Sequence, residues 1–112
     1  MALPRPAPRF DRQDFFVWEP EQPVKHEYFG GEVFAQAGAR QNLVVVAGNC
    51  FAALRQCLRG TPCRAYIADM QLEVAQADAV FYPDVMVSCH PEDLAAERVL
   101  HHPRVIVEVL SD

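Results

Sequence analysis

Two stretches of the chain set a carboxylate inside an otherwise apolar run: Val80-Phe81-Tyr82-Pro83-Asp84-Val85-Met86-Val87-Ser88 and Arg104-Val105-Ile106-Val107-Glu108-Val109-Leu110. Both runs are rich in β-branched and aromatic residues and are bounded by polar or proline-bearing segments, which predicts strands. A carboxylate buried without a partner is costly and would rather take up a proton, so two on neighbouring strands point to a bound cation or to catalysis. Strand residues two apart share a face. Tyr82, Asp84 and Met86 should therefore point one way, and Arg104, Ile106, Glu108 and Leu110 together. If the strands are neighbours, Asp84 and Glu108 converge on an oxygen-loving divalent ion, Mg²⁺ or Mn²⁺, which takes one or two protein carboxylates and fills its octahedron with water and phosphate. The same residues also admit a plainer reading, with Asp84 in a turn after Pro83 and Glu108 on a solvated edge.

Other groups that do chemistry are less organised. Cys50, Cys57, Cys63 and Cys89 form no C-x-x-C pair. Cys50 and Cys57 lie one heptad apart in a helical pattern, as small core residues do. His101 and His102 precede Pro103 in a loop, where adjacent side chains diverge, so they are not expected to make a zinc site. Arg55 and Arg59, one helical turn apart, are either a phosphate contact or a solvated basic corner.

Length and composition limit the classes open to the chain. At 112 residues it reads as one domain, and its 51% hydrophobic content argues for a packed core rather than disorder. The formal charge of −5 gives no overall attraction to phosphate, so DNA binding would need a local basic patch. No apolar run reaches membrane-spanning length, and Met1 to Arg9 carries three prolines and no apolar core, unlike a signal peptide. A cytoplasmic location and no membrane partner are expected.

The elements that would position the acids follow in order. Residues 1–10 read as a flexible Pro/Arg-rich leader ahead of a domain over 11–112. Asp11 caps a short helix through Trp18, which ends before Pro20. Gly30-Gly31 joins two strand-like runs, Lys25 to Phe29 and Glu32 to Ala35, as a hairpin. Leu43, Val46, Ala47, Cys50, Leu54, Cys57 and Leu58 recur at helical spacing over Gln41 to Arg59, stopped by Gly60 and Pro62. Arg64 to Val74 alternates as one long strand, and residues 75–79 turn into the strand of Asp84. Residues 89–103 form a polar loop with one helical turn from Pro91 to Arg98, before the last strand. The expectation is an α/β or α+β fold, a mixed sheet with one long helix packed on it.

The succession Glu27-Tyr28-Phe29-Gly30-Gly31-Glu32-Val33, Gln41-Asn42-Leu43, Tyr82-Pro83-Asp84-Val85 and Val107-Glu108-Val109-Leu110-Ser111 resembles the Uma family of restriction endonuclease-like proteins, in the PD-(D/E)xK nuclease superfamily. The likeness spans roughly residues 12–112. It implies a restriction endonuclease-like fold and a Mg²⁺-dependent DNA endonuclease in which an Asp and a Glu hold the ion against the scissile phosphate and a lysine assists the attacking water. By position Asp84 and Glu108 match the two acids, and Glu32 matches a Gly-Glu common in the family and is a third catalytic candidate, ranked above Asp69. The sequence departs from the pattern at Leu110, where the superfamily has its lysine, and at Gln41, where the family tends to have a histidine. Lys25 is the sole lysine, and Arg104 is the other cation expected near Glu108. The chain thus resembles a family member without its C-terminal segment. The alternatives carried forward are an inactive nuclease fold serving as an interaction or dimerisation module, and a sheet protein of another class whose acids sit at loop mouths. A homo-oligomer is expected through Val105, Val107 and Val109.

Overall fold

The computed structural model describes residues 10–36, 38 and 40–110. The expected leader lies outside them except for Phe10, whose ring packs edge-on against Trp18 at 5.7 Å. The chain falls into two compact units, one taking in residues up to Gln36 with Val74–Phe81, the other Ala37–Glu73 with Tyr82–Asp112.

In the first unit, helix α1 (Arg12–Trp18) begins at Asp11, whose side chain accepts the Asp14 N–H while Asp14 accepts the Asp11 N–H. This reciprocal cap satisfies two of the amides that a helix start leaves without partners. Strands β1 (His26–Phe29) and β2 (Glu32–Ala35) pair antiparallel around Gly30 and Gly31, at φ 60° and 95°. Only glycine takes both positions of so tight a turn at little cost. Phe15, Tyr28 and Val80 are the buried centre of this unit, with Phe10, Phe16, Trp18 and Val33 around them. Asp78 sits in the left-handed region at φ 52° and receives both the Arg12 guanidinium at 2.6 Å and the Tyr28 hydroxyl at 3.2 Å. Burial, then the neighbouring Asp78 charge, raises the Tyr28 pKa.

In the second unit, α2 (Gln41–Cys57) packs on a three-stranded sheet of order β3-β6-β8, where β3 is Arg64–Ile67, β6 is Val85–Ser88 and β8 is Pro103–Val107. The helix is the one expected, although Val46 and Cys57, assigned by spacing to its core face, are exposed and Ala47 is its buried residue. Every residue of β6 is buried, as befits the central strand. β4 (Gln71–Val74) pairs in parallel with the short β7 (Val99–Leu100), and a single helical turn, α3 (Pro91–Leu94), precedes β7.

Two long strands expected from the sequence are each broken. The run from Arg64 to Val74 turns at Ala68-Asp69-Met70, where Asp69 takes φ 75°. The run from Val80 to Ser88 stops at β5 (Ala79–Phe81), which pairs with β1, and restarts at Val85. Tyr82, Pro83 and Asp84 lie between, so the alternation that put Tyr82, Asp84 and Met86 on one face does not hold. Proline has no N–H to give a ladder, and the chain uses that position to change direction.

Candidate functional site

Asp84 immediately precedes β6, and Glu108 immediately follows β8. The antiparallel register pairs Val85 with Val107, Met86 with Ile106 and Val87 with Val105. Asp84 and Glu108 lie just outside this ladder, at the same end of the β6–β8 pair. Asp84 is half-buried, and its Oδ2 accepts the Val109 N–H at 2.7 Å, tying the chain just past Glu108 to the start of β6. Glu108 is exposed. Asp84 thus lies at a bend after Pro83 and Glu108 beyond a strand end, and the Val109 N–H bond holds the chain next to Glu108 against Asp84.

The other candidates are placed as follows. Asp69 holds the left-handed turn between β3 and β4. Glu32 opens β2 opposite Phe29 and is exposed, and Lys25, whose carbonyl accepts the Gln36 N–H, precedes β1; both belong to the first unit. Arg104 is exposed in a β-bulge, the extra residue between the pairs Val87–Val105 and Ser88–Pro103. A bulge re-aims the side chains around it, so the simple alternation that put Arg104 on the face of Glu108 is interrupted there. A hollow of about 370 Å³ at the end of α2 is lined by Arg55, Arg59 and Arg64.

The opposite end of the same strand pair carries a second cluster. His101 and His102 do diverge: His101 Nε2 meets Glu73 at 2.8 Å, and His102 Nε2 meets Glu92 at 2.7 Å. His102 also stacks on His90, ring centroids 3.9 Å apart at 20°, and the ligating atoms of His90, Glu92 and His102 all lie within 4.8 Å of one another. Behind them Asp93, 1% exposed, accepts the Ser88 hydroxyl at 2.6 Å and the His101 and His102 N–H groups at 2.8 Å each. Burial alone would raise the Asp93 pKa; those hydrogen bonds, with the charge of His102, hold it below the usual carboxylate range. Cys63 and Cys89 form a disulfide one register step beyond the pair Arg64–Ser88. The sequence pattern offered no sign of this link, because it becomes visible only once β3 is paired with β6.

The mixed α+β architecture is that of a nuclease-fold protein. A protein from Anabaena variabilis ATCC 29413, described as "a putative nuclease belonging to DUF820", matches with a TM-score of 0.70 at 19% identity, over 88% of this chain and 57% of its own. At that identity the likeness is one of fold. The Uma2 family, described as "Putative restriction endonuclease", matches residues 12–112, and the chain belongs to it. Two proteins of Synechocystis sp. (strain ATCC 27184 / PCC 6803 / Kazusa) are each 30% identical: "Uncharacterized protein slr1290" over 95% of this chain, and "Uncharacterized protein sll1609" over 88%. The chain spans 56% of the length of each. Among the described residues no helix is long and apolar enough to cross a membrane.

Proposed function

We propose that this chain supplies the acidic metal ligands of a Mg²⁺- or Mn²⁺-dependent nuclease that hydrolyses DNA phosphodiesters, with Asp84 and Glu108 holding the ion. The observation that supports the reading is the hydrogen bond from the Val109 N–H to Asp84 Oδ2, which ties the start of β6 to the residue next to Glu108 at one end of the β6–β8 pair. Asp84 spends Oδ2 on the Val109 amide, which fixes its direction, while Oδ1 has no protein partner among the described residues and is the oxygen for a cation. Two carboxylates suit a hard dication that keeps several waters. Such an ion polarises a phosphoryl oxygen and makes a bound water more acidic, the two contributions a hydrolytic site needs from it.

DNA is the proposed substrate despite the charge of −5. Arg55, Arg59 and Arg64 gather positive charge around one hollow, where a backbone phosphate would sit. Glu32 is retained as a further acid of the reaction on family position alone. Leu110, 84% exposed in the place of the superfamily lysine, favours a second reading, a nuclease fold used as an interaction module.

The test is Mn²⁺ binding followed by electron paramagnetic resonance. One ion per chain is expected, with affinity at least ~10-fold weaker in Asp84→Asn and in Glu108→Gln, since each loses one charged ligand. Undiminished binding in both variants would remove these acids from the site.

A further inference from the structure

We propose that His90, Glu92 and His102 form a second metal site, for Zn²⁺, independent of the carboxylate pair. Two imidazoles, borderline donors, with one carboxylate make a set that suits Zn²⁺ better than Mg²⁺, which prefers oxygen alone. With three protein ligands and all three residues exposed, the fourth position faces solvent and takes water.

The geometry needs little rearrangement. A tetrahedral ion at ~2.0–2.1 Å from each ligand sets ligand atoms roughly 3.3 Å apart. His102 Nε2 and Glu92 Oε1 now stand 2.7 Å apart and their contact is replaced by two bonds to the ion. His90 Nδ1 accepts the Glu92 N–H at 3.1 Å as the cap of α3, and ligation through Nδ1 exchanges that cap for the metal. The ring stack opens as the nitrogens turn to one centre.

What separates this cluster from a chance meeting of surface side chains is the support behind it. The Ser88 hydroxyl donates to Asp93 and accepts the His90 N–H at 3.3 Å, and Asp93 in turn accepts the N–H groups of His101 and His102. One buried carboxylate therefore fixes the backbone on both sides of the cluster. Pro91 follows His90, and the Cys63–Cys89 disulfide holds the residue before it. Ligands held from behind in this way lose less freedom on binding than ligands on loose loops.

The experiment is calorimetric titration of the purified chain with ZnCl₂ in the presence of excess MgCl₂. One Zn²⁺ per chain is expected, undisturbed by Mg²⁺, with affinity lowered at least ~10-fold in His102→Ala and in Glu92→Gln and unchanged in Asp84→Asn. Failure of the wild-type chain to bind Zn²⁺, or equal binding by His102→Ala, which would place the ion elsewhere, for example at Cys57, overturns the proposal. Loss of Zn²⁺ binding in Asp84→Asn would assign the ion to the carboxylate pair, and would likewise overturn it. The nuclease reading stands or falls separately, on Mn²⁺ binding by Asp84 and Glu108.

Discussion

The two ends of the β6–β8 strand pair share one backbone ladder and differ in everything hung on it. At one end Asp84 and Glu108 offer only oxygen, and Asp84 accepts the Val109 N–H. At the other, His90, Glu92 and His102 offer nitrogen and oxygen above a buried Asp93–Ser88 network and beside a disulfide. With strands rising about 3.3 Å per residue, the ends lie roughly 15–20 Å apart, too far for one ion to serve both. The difference teaches that rigidity and proposed chemistry are unevenly shared. The histidine end is backed by a fully buried carboxylate and a disulfide, while Asp84 at the other end is only half-buried and Glu108 is exposed.

The largest expected effect is a gain. Leu110→Lys puts an ammonium two residues past Glu108, and the rate of Mn²⁺-dependent plasmid nicking should rise on the order of 10²-fold if that charge reaches the phosphate. Nicking no faster than that of the unaltered chain would mean the cation of this site comes from another position.

The histidine end should dominate stability. Replacing Cys63 and Cys89 by serine opens a link across a sequence separation of 26, worth about 3.5 kcal/mol by loop-closure entropy, and the urea midpoint should fall accordingly. Asp93→Asn should cost about 2–3 kcal/mol, since it weakens three hydrogen bonds to a buried acceptor. The Asp93 pKa is depressed in the fold, so its contribution is present above the ordinary carboxylate value and is lost as pH falls from about 4 downward. An acid-unfolding curve of Asp93→Asn should lack that component; identical acid profiles would contradict it. Asp84→Asn, with its side chain only half-buried, should cost about 1 kcal/mol or less. A cost equal to that of Asp93→Asn would erase the contrast between the ends.

The smallest effect concerns β8 itself, an edge strand with Val105 and Ile106 exposed by 41% and 49%. We propose that it pairs with a second copy, as uncovered edges do. Light scattering should show a concentration-dependent rise in mass that Val105→Lys removes; monomer mass at every concentration would argue against pairing.

Much of this was legible in the sequence where local chemistry decides structure. Asp11 announced α1, Gly30-Gly31 the hairpin, and the spacing of Leu43, Ala47, Cys50 and Leu54 the helix α2 despite three consecutive valines. The breaks at Asp69 and at Pro83-Asp84 were hidden because apolar alternation continues through them, while a backbone turn leaves no mark on hydrophobic period. Pro83 was the available signal. Asp84 and Glu108 were visible as two acids in apolar runs, though the structure sets each just outside a strand rather than within one. The meeting of His90 with His102, and of Cys63 with Cys89, depends on long-range pairing that no local pattern encodes.

The most direct test is thermal melting with and without MgCl₂. For the unaltered chain and for His102→Ala, Mg²⁺ at about ten times its Kd should stabilise by about 1.4 kcal/mol, roughly 5 °C, because the ion binds only the folded site. Asp84→Asn, with affinity at least ~10-fold weaker, should gain no more than about 0.4 kcal/mol, under a third of that rise. An equal rise in Asp84→Asn would contradict the placement of the ion between Asp84 and Glu108.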